Sequence, residues 1–174
     1  LVPDHVMTIA SLSKTLSPGI RTAFLAAPRE RIARMTELIW SSIWMSSPLG
    51  GELALGWLED DTADRVLAAR LREIEARQAI AQPILANFDV ATQPTAYHLW
   101  VTLPSPWEST TATAALAEAG VKVSSADEFR IEDAPAVDAV RISLSATRSR
   151  DRLTEGLQTI AQVLGRPPTR SAFV

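Results

Sequence analysis

The chain contains no cysteine, which excludes disulfides and thiolate metal sites. It has only two histidines, His5 and His98, far apart, so a histidine-based metal cluster is not expected either. No apolar run approaches the length of a membrane span, and no signal peptide precedes the first strand-like residues. Charge of one sign is also lacking. The net charge of −3 leaves no domain-wide basic field for nucleic acid. These absences predict a soluble, cytoplasmic protein. Lysine is scarce as well: the chain has Lys14 and Lys122 and no other.

What is present is globular in character, with 47% hydrophobic and 21% charged residues among 174, enough for one domain or two small ones. The N-terminus runs into strand-like residues almost at once, with no capped helix or turn to begin a domain. This predicts that the chain is a piece of a longer protein. "VMTIA" (6–10) and "TAFLAA" (22–27) read as short apolar strands buried on both faces. A helix follows with Ile32, Met35, Ile39 and Ile43 at helical spacing, broken at "SSPLGG". "ELALGWLED" resumes a helix with Leu53, Trp57 and Leu58 inward.

Asp61 or Thr62 is placed to cap a long helix reaching about Phe88, bent by Pro83. Its stripe is Leu67, Leu71, Ile74, Gln78, Ala81, Leu85 and Phe88, with Glu73 and Arg77 as an i,i+4 surface pair. From about Ala91 to Gly165 the rhythm becomes β-α-β-β-α, ending in an amphipathic helix with Leu153, Leu157, Ile160, Ala161 and Leu164 on one face. This reads as a small α/β lobe with helices on one side of a short sheet. The tail "RPPTRSAFV" is expected to be extended or frayed.

The segment "SLSKTLSPGIR" (11–21) carries the chemistry. A lone amine, Lys14, lies among hydroxyls and an arginine. A Schiff-base lysine must reach a carbonyl group, and a nearby phosphate wants hydroxyl donors and a bidentate guanidinium. Ser11, Ser13 and Arg21 supply those groups around Lys14, with Pro18-Gly19 folding Arg21 back toward them. The bland alternative is that Lys14 and Arg21 are ordinary solvated charges on a loop. Downstream, "AVRISLS" sets Arg141 on a strand. A planar fork there suits a carboxylate; otherwise it is a surface ion-pair arginine.

The string S-x-S-K-x-x-x-P-G-x-R followed by a strand resembles the lysine segment of fold-type I pyridoxal-phosphate enzymes, the aspartate aminotransferase-like class I/II group. The resemblance implies an α/β fold: the C-terminal portion of the PLP-dependent transferase fold, a partial large domain plus a small α/β domain. It divides the chain into a large-domain remnant (1–60), a long interdomain helix (61–90) and a small C-terminal domain (91–174). It implies pyridoxal 5'-phosphate as cofactor, held through an aldimine on Lys14, with Ser11, Ser13 and Arg21 on its phosphate. By the same resemblance Arg141 grips a substrate α-carboxylate. Thr95-Ala96 stand where glycines are usual in the family. Tyr97, His98 and Trp100 either border the pocket or pack.

"HLWVTLPSPW", "AGVKVSSADEF" and "VRISLSATRSRDRLTEGLQTIAQVL" resemble the C-terminal domain of MocR-type regulators of the GntR family. Those join a winged-helix DNA-binding domain to an aminotransferase-like effector sensor. The implied function is sensing of an amino compound or amino acid by a homodimer, with DNA bound only through an N-terminal domain absent from this chain. In the family the glycine-rich phosphate turn, the ring-stacking aromatic and the pyridine-pairing aspartate lie upstream of the lysine, and only thirteen residues precede Lys14. Weak cofactor binding by this chain alone is therefore expected. A free-standing aminotransferase is the second reading, and a self-associating fragment without chemistry the third.

Overall fold

The computed structural model describes residues 5–168. The elements are β1 (Thr8–Ser11), α1 (Leu12–Thr15), β2 (Ala23–Ala26), α2 (Ile32–Ile43), α3 (Pro48–Glu59), α4 (Thr62–Ile84), β3 (Asp89–Ala91), β4 (His98–Thr102), α5 (Ser109–Glu118), β5 (Ser124–Ser125), β6 (Ala139–Ser143) and α6 (Arg150–Leu164). Two compact units result, Leu1–Arg70 and Leu71–Val174, with the boundary falling inside α4. Of the tail expected to be extended, residues 169–174 lie outside the described residues.

In the first unit β1 and β2 form an antiparallel ribbon, pairing Thr8 with Ala26 and Ser11 with Ala23. Contrary to the expectation of strands buried on both faces, Ile9 is 73% and Phe24 53% exposed. The reason is size: among the described residues the unit's hydrophobic core is the small cluster Leu16, Ile20, Ala54 and Ala63, with Leu12, Trp57 and Val66 packed against it. So few groups cover only a small part of the available apolar surface. The same limit corrects two helix faces. In α3 the buried residues are Gly50 and Ala54, while Leu53 and Leu58 are exposed and Trp57 is half-buried. None of the residues of α2 is buried.

The second unit has the larger core. Its sheet has the order β3-β4-β6-β5 and is antiparallel throughout. Leu99 and Val101 of β4 face Ile142 and Val140 of β6 in register, and all four are buried. Onto them pack Ile74, Ala81 and Leu85 near α4, Ala112 and Leu116 of α5, and Leu153, Leu157, Ile160 and Leu164 of α6. Because strand side chains alternate, Trp100 and Arg141 point to the opposite face. β3, not anticipated from the sequence, is a three-residue edge strand.

The long helix stops at Ile84 and not at Phe88, with Pro83 in its last turn. At its start Asp60, and not Asp61, supplies the acceptor, its Oδ1 taking the Thr62 N–H at 3.0 Å. Hydrogen bonds from the Thr62 side chain and backbone hold the Asp60 carboxyl below the usual range. Arg77, expected on the surface, is buried at 7% exposure. Its Nε donates to Glu73 Oε1 at 2.7 Å, and one terminal nitrogen donates to the carbonyls of Leu144 (2.7 Å) and Thr147 (3.0 Å). Arg150, at the start of α6, reaches the other Glu73 oxygen at 2.6 Å. Glu73 is thereby pulled down to about 2, first by the Arg150 bonds and then by the Arg77 bond. Among the described residues no helix is long and apolar enough to cross a membrane.

Candidate functional site

Two serine caps shape the lysine segment. Ser11 ends β1 in extended conformation, and its Oγ accepts the Ser13 N–H at 3.3 Å, starting the single turn of α1. Ser17 repeats the device six residues on: its Oγ accepts the Gly19 N–H at 3.3 Å, and Pro18 opens a 3-10 turn through Ile20. Buried Leu16, between the caps, and Ile20, just after the second, pin the segment to the core of the first unit. The Leu12 N–H donates to the Thr22 carbonyl at 3.1 Å, which closes the loop on itself. The polar residues of the motif are left outward: Ser11, Lys14 and Arg21 are exposed and Ser13 half-buried.

The loop therefore brings Ser11, Ser13, Lys14 and Arg21 into one hydrogen-bonded segment. Arg21 lies immediately before Thr22, whose carbonyl meets Leu12, and two residues before Ala23, the strand partner of Ser11. Its backbone is left-handed, at φ 54° and ψ 33°. That conformation is rarely adopted by a residue with a Cβ and is retained where the surroundings enforce it. Ser11 Oγ uses a lone pair on Ser13, so its hydroxyl proton remains able to donate.

Arg141 lies in the second unit, on β6, directly opposite Trp100 of β4 and Ser124 of β5. Its guanidinium carbon sits 4.6 Å from the centre of the Phe129 ring, and one terminal nitrogen donates to Ser124 Oγ at 3.3 Å. Trp100 meets the same Phe129 ring edge-to-face at 6.0 Å. The guanidinium is thus held by a ring beneath and a hydroxyl at one side. Its Nε is buried and has no hydrogen-bond partner among the described residues. An unpaired buried guanidinium N–H is costly unless a ligand or solvent meets it. Such an edge suits an anion with two oxygens.

A family model for aminotransferases of class I and II matches residues 2–160. The chain belongs to that family. Among curated proteins it is 26% identical to the uncharacterized HTH-type transcriptional regulator YdeF of Bacillus subtilis, over 93% of the chain and 35% of the regulator. This aminotransferase-family chain therefore spans about a third of that relative's length. The kynurenine aminotransferase of Pyrococcus horikoshii superposes with a TM-score of 0.84 at 16% identity, covering 94% of this chain and 41% of the enzyme. The alpha-aminoadipate aminotransferase of Thermus thermophilus gives 0.79 at 20%, covering 92% and 42%. The fold expected from the sequence, a partial chain of the aminotransferase architecture, is the fold observed.

Residues around the candidate sites that were not anticipated from the sequence are Phe129, Ser124 and Gly50. Phe129 had a signal. Ser125 and Glu128 form a capping box, with Glu128 Oε1 accepting the Ser125 N–H at 3.1 Å and Ser125 Oγ accepting the Asp127 N–H at 3.2 Å. The spacing S-x-x-E announces such a turn, and the turn carries Phe129 to Arg141. Ser124 was legible only through the strand register, and Gly50 only in three dimensions.

Proposed function

We propose that the chain is the C-terminal part of the aminotransferase-like, effector-sensing domain of a MocR-type GntR-family transcriptional regulator. The supporting observation is the match to an HTH-type regulator along 93% of the chain. In this reading residues 1–60 are the remnant of a large domain, 61–90 an interdomain helix and 91–174 the small domain. DNA is bound by a winged-helix domain preceding the matched region. The working unit is a cytoplasmic homodimer.

The donor set fits pyridoxal phosphate as cofactor. A lysine amine, two serine hydroxyls and a guanidinium occupy one loop, and Ser11 retains a proton to donate. Relatives in fold were solved with such groups: the Pyrococcus enzyme in complex with PMP and the Thermus enzyme with N-(5'-phosphopyridoxyl)-L-leucine. When bound, pyridoxal phosphate supplies an aldehyde carbon that amines add to and a ring that accepts electron density. In this reading Lys14 is the amine that would meet that carbon. Ser11, Ser13 and Arg21 hold the phosphate, the first two by hydroxyl donation and the last by its fork. Arg141 takes the carboxylate of an amino acid, oriented by Phe129 and Ser124.

A free-standing aminotransferase is the second reading, favoured by the superposition on two enzymes with TM-scores of 0.84 and 0.79. Lys14→Ala in the intact gene product tests the shared core of both. After unbound pyridoxal phosphate is removed, the variant should retain no yellow absorbance, and borohydride should no longer fix the cofactor to the peptide spanning position 14. Retention of either signal at wild-type strength refutes the assignment. Binding of a specific DNA by the same protein, changed by an amino acid in the presence of cofactor, separates regulator from enzyme.

A further inference from the structure

We propose that Gly50, together with Thr22, is a positioning residue for Arg21; this rests on the reading that Arg21 holds the cofactor phosphate. Gly50 is buried at the third position of α3, where Ser47 caps the helix and accepts the Gly50 N–H at 3.2 Å. Glycine is a poor helix residue, so its presence inside α3 asks for a cause. A left-handed backbone is not that cause, because Gly50 is not among the glycines with positive φ.

The cause is room. A Cβ on residue 50 would lie 2.2 Å from the carbonyl oxygen of Ile20 and 3.3 Å from its carbon. It would also lie 3.2 Å from Thr22 Oγ1. Thr22 is itself buried, and its hydroxyl donates to that same Ile20 oxygen at 3.2 Å. The peptide group joining Ile20 to Arg21 is therefore held between a hydroxyl and a bare Cα. The plane of that peptide enters directly into the φ of Arg21, which stands at the unusual value of 54°. Conformations of this kind persist only where the surroundings over-determine them. Gly50 and Thr22 both lie against the carbonyl oxygen of that peptide. Gly51 provides the contrast, since a Cβ there would meet nothing within 4 Å.

A methyl at position 50 cannot share space with a backbone carbonyl, so the Ile20–Arg21 peptide must turn or withdraw and carry the guanidinium with it. The rest of the loop keeps its own anchors, the Ser11 and Ser17 caps and the Leu12–Thr22 bond. The damage falls on the phosphate contact and spares the amine.

The test is a titration of the intact gene product with pyridoxal phosphate and, in parallel, with pyridoxal, which lacks the phosphate. Gly50→Ala should weaken pyridoxal phosphate by about tenfold, the lower end of what one charge-assisted hydrogen bond contributes. Pyridoxal affinity should be unchanged, and Gly51→Ala should match wild type with both ligands. In an Arg21→Ala background, Gly50→Ala should add no further loss. Thr22→Val, which removes the hydroxyl without adding bulk, should reproduce the phosphate-selective loss, and it carries the test if Gly50→Ala does not fold. Equal losses for both ligands in these variants would make Gly50 and Thr22 merely structural and overturn the proposal. So would an unchanged pyridoxal phosphate affinity in them while Arg21→Ala lowers it. If Arg21→Ala itself changes nothing, the phosphate reading of Arg21 falls first and takes this inference with it.

Discussion

Arg77→Ala should be among the most costly single substitutions on α4. The side chain is nearly sealed from solvent; besides its bond to the half-exposed Glu73, two of its bonds end on backbone groups that cannot follow it out, the carbonyls of Leu144 and Thr147. Leu144 is fully buried, so its carbonyl loses a charged donor in a dry place. A hydrogen bond to a charged group contributes roughly 1.5–3 kcal/mol. Losing two carbonyl bonds thus sets a ceiling of about 6 kcal/mol. Two effects lower it. The space left by the side chain lets water reach the carbonyls, and Glu73 keeps Arg150 at 2.6 Å, so no buried charge is orphaned. About 3 kcal/mol remains, the lower end for two such bonds. With a urea m-value of about 1.5 kcal/mol/M, the unfolding midpoint falls by about 2 M. Urea unfolding of the intact gene product, followed by tryptophan fluorescence, reads this directly. Arg77→Met is the decisive companion, since it restores much of the apolar stem without the donors. If Met recovers the wild-type midpoint, packing and not hydrogen bonding is what Arg77 contributes, and the reasoning is refuted. Arg150→Ala, on the exposed side of the network, should cost much less.

Glu73 gives a pH dependence with a definite sign. Its carboxyl is held at about 2 in the folded state against an ordinary value of 4.5, so its stabilisation is complete above about 4.5 and is lost as the pH falls toward 2. Glu73→Gln should flatten the acid limb of an unfolding-midpoint profile across that window while removing stability at neutral pH; an unchanged slope would contradict the assignment. Arg141→Lys keeps the charge but loses the fork, and it should weaken amino-acid binding by about tenfold while leaving pyridoxal phosphate affinity nearly intact. Calorimetric titration with each ligand distinguishes this from a general loss, which would make Arg141 structural.

What could be read from the sequence follows from how local each cause is. The turn at Pro18-Gly19 was legible because Pro and Gly act on their own backbone, whereas the serine caps beside it, Ser11 on Ser13 and Ser17 on Gly19, were not anticipated. α6 was legible because its buried stripe of Leu153, Leu157, Ile160 and Leu164 faces a single core, and Gly165 follows it. Arg77 was misjudged because the i,i+4 pair with Glu73 is visible along the helix, whereas its carbonyl partners lie 67 and 70 residues away. The strand run of Ile9 and Phe24 was misjudged for the opposite reason. Apolar residues record a tendency to be covered, but what covers them is decided by the rest of the fold, and within this chain they stand open. The Gly50 contact with Ile20 is steric and long-range, and no periodicity announces it.

β6 carries two inheritances on one strand. Val140 and Ile142 belong to the core, and Arg141 between them belongs to the opposite face. A single-residue insertion or deletion within the strand would exchange the two sets, burying a guanidinium and exposing two aliphatic side chains. Frameshifts of register are therefore eliminated by loss of folding before any change of ligand can be selected. Point substitution at 141 carries no such penalty, since the core pairs Leu99–Ile142 and Val101–Val140 stay in place. Residue 141 can therefore change one codon at a time while the second unit survives intact as a scaffold. Divergence of ligand on this lobe is confined to substitution on the open face of the sheet, and the parity of a five-residue strand enforces the restriction.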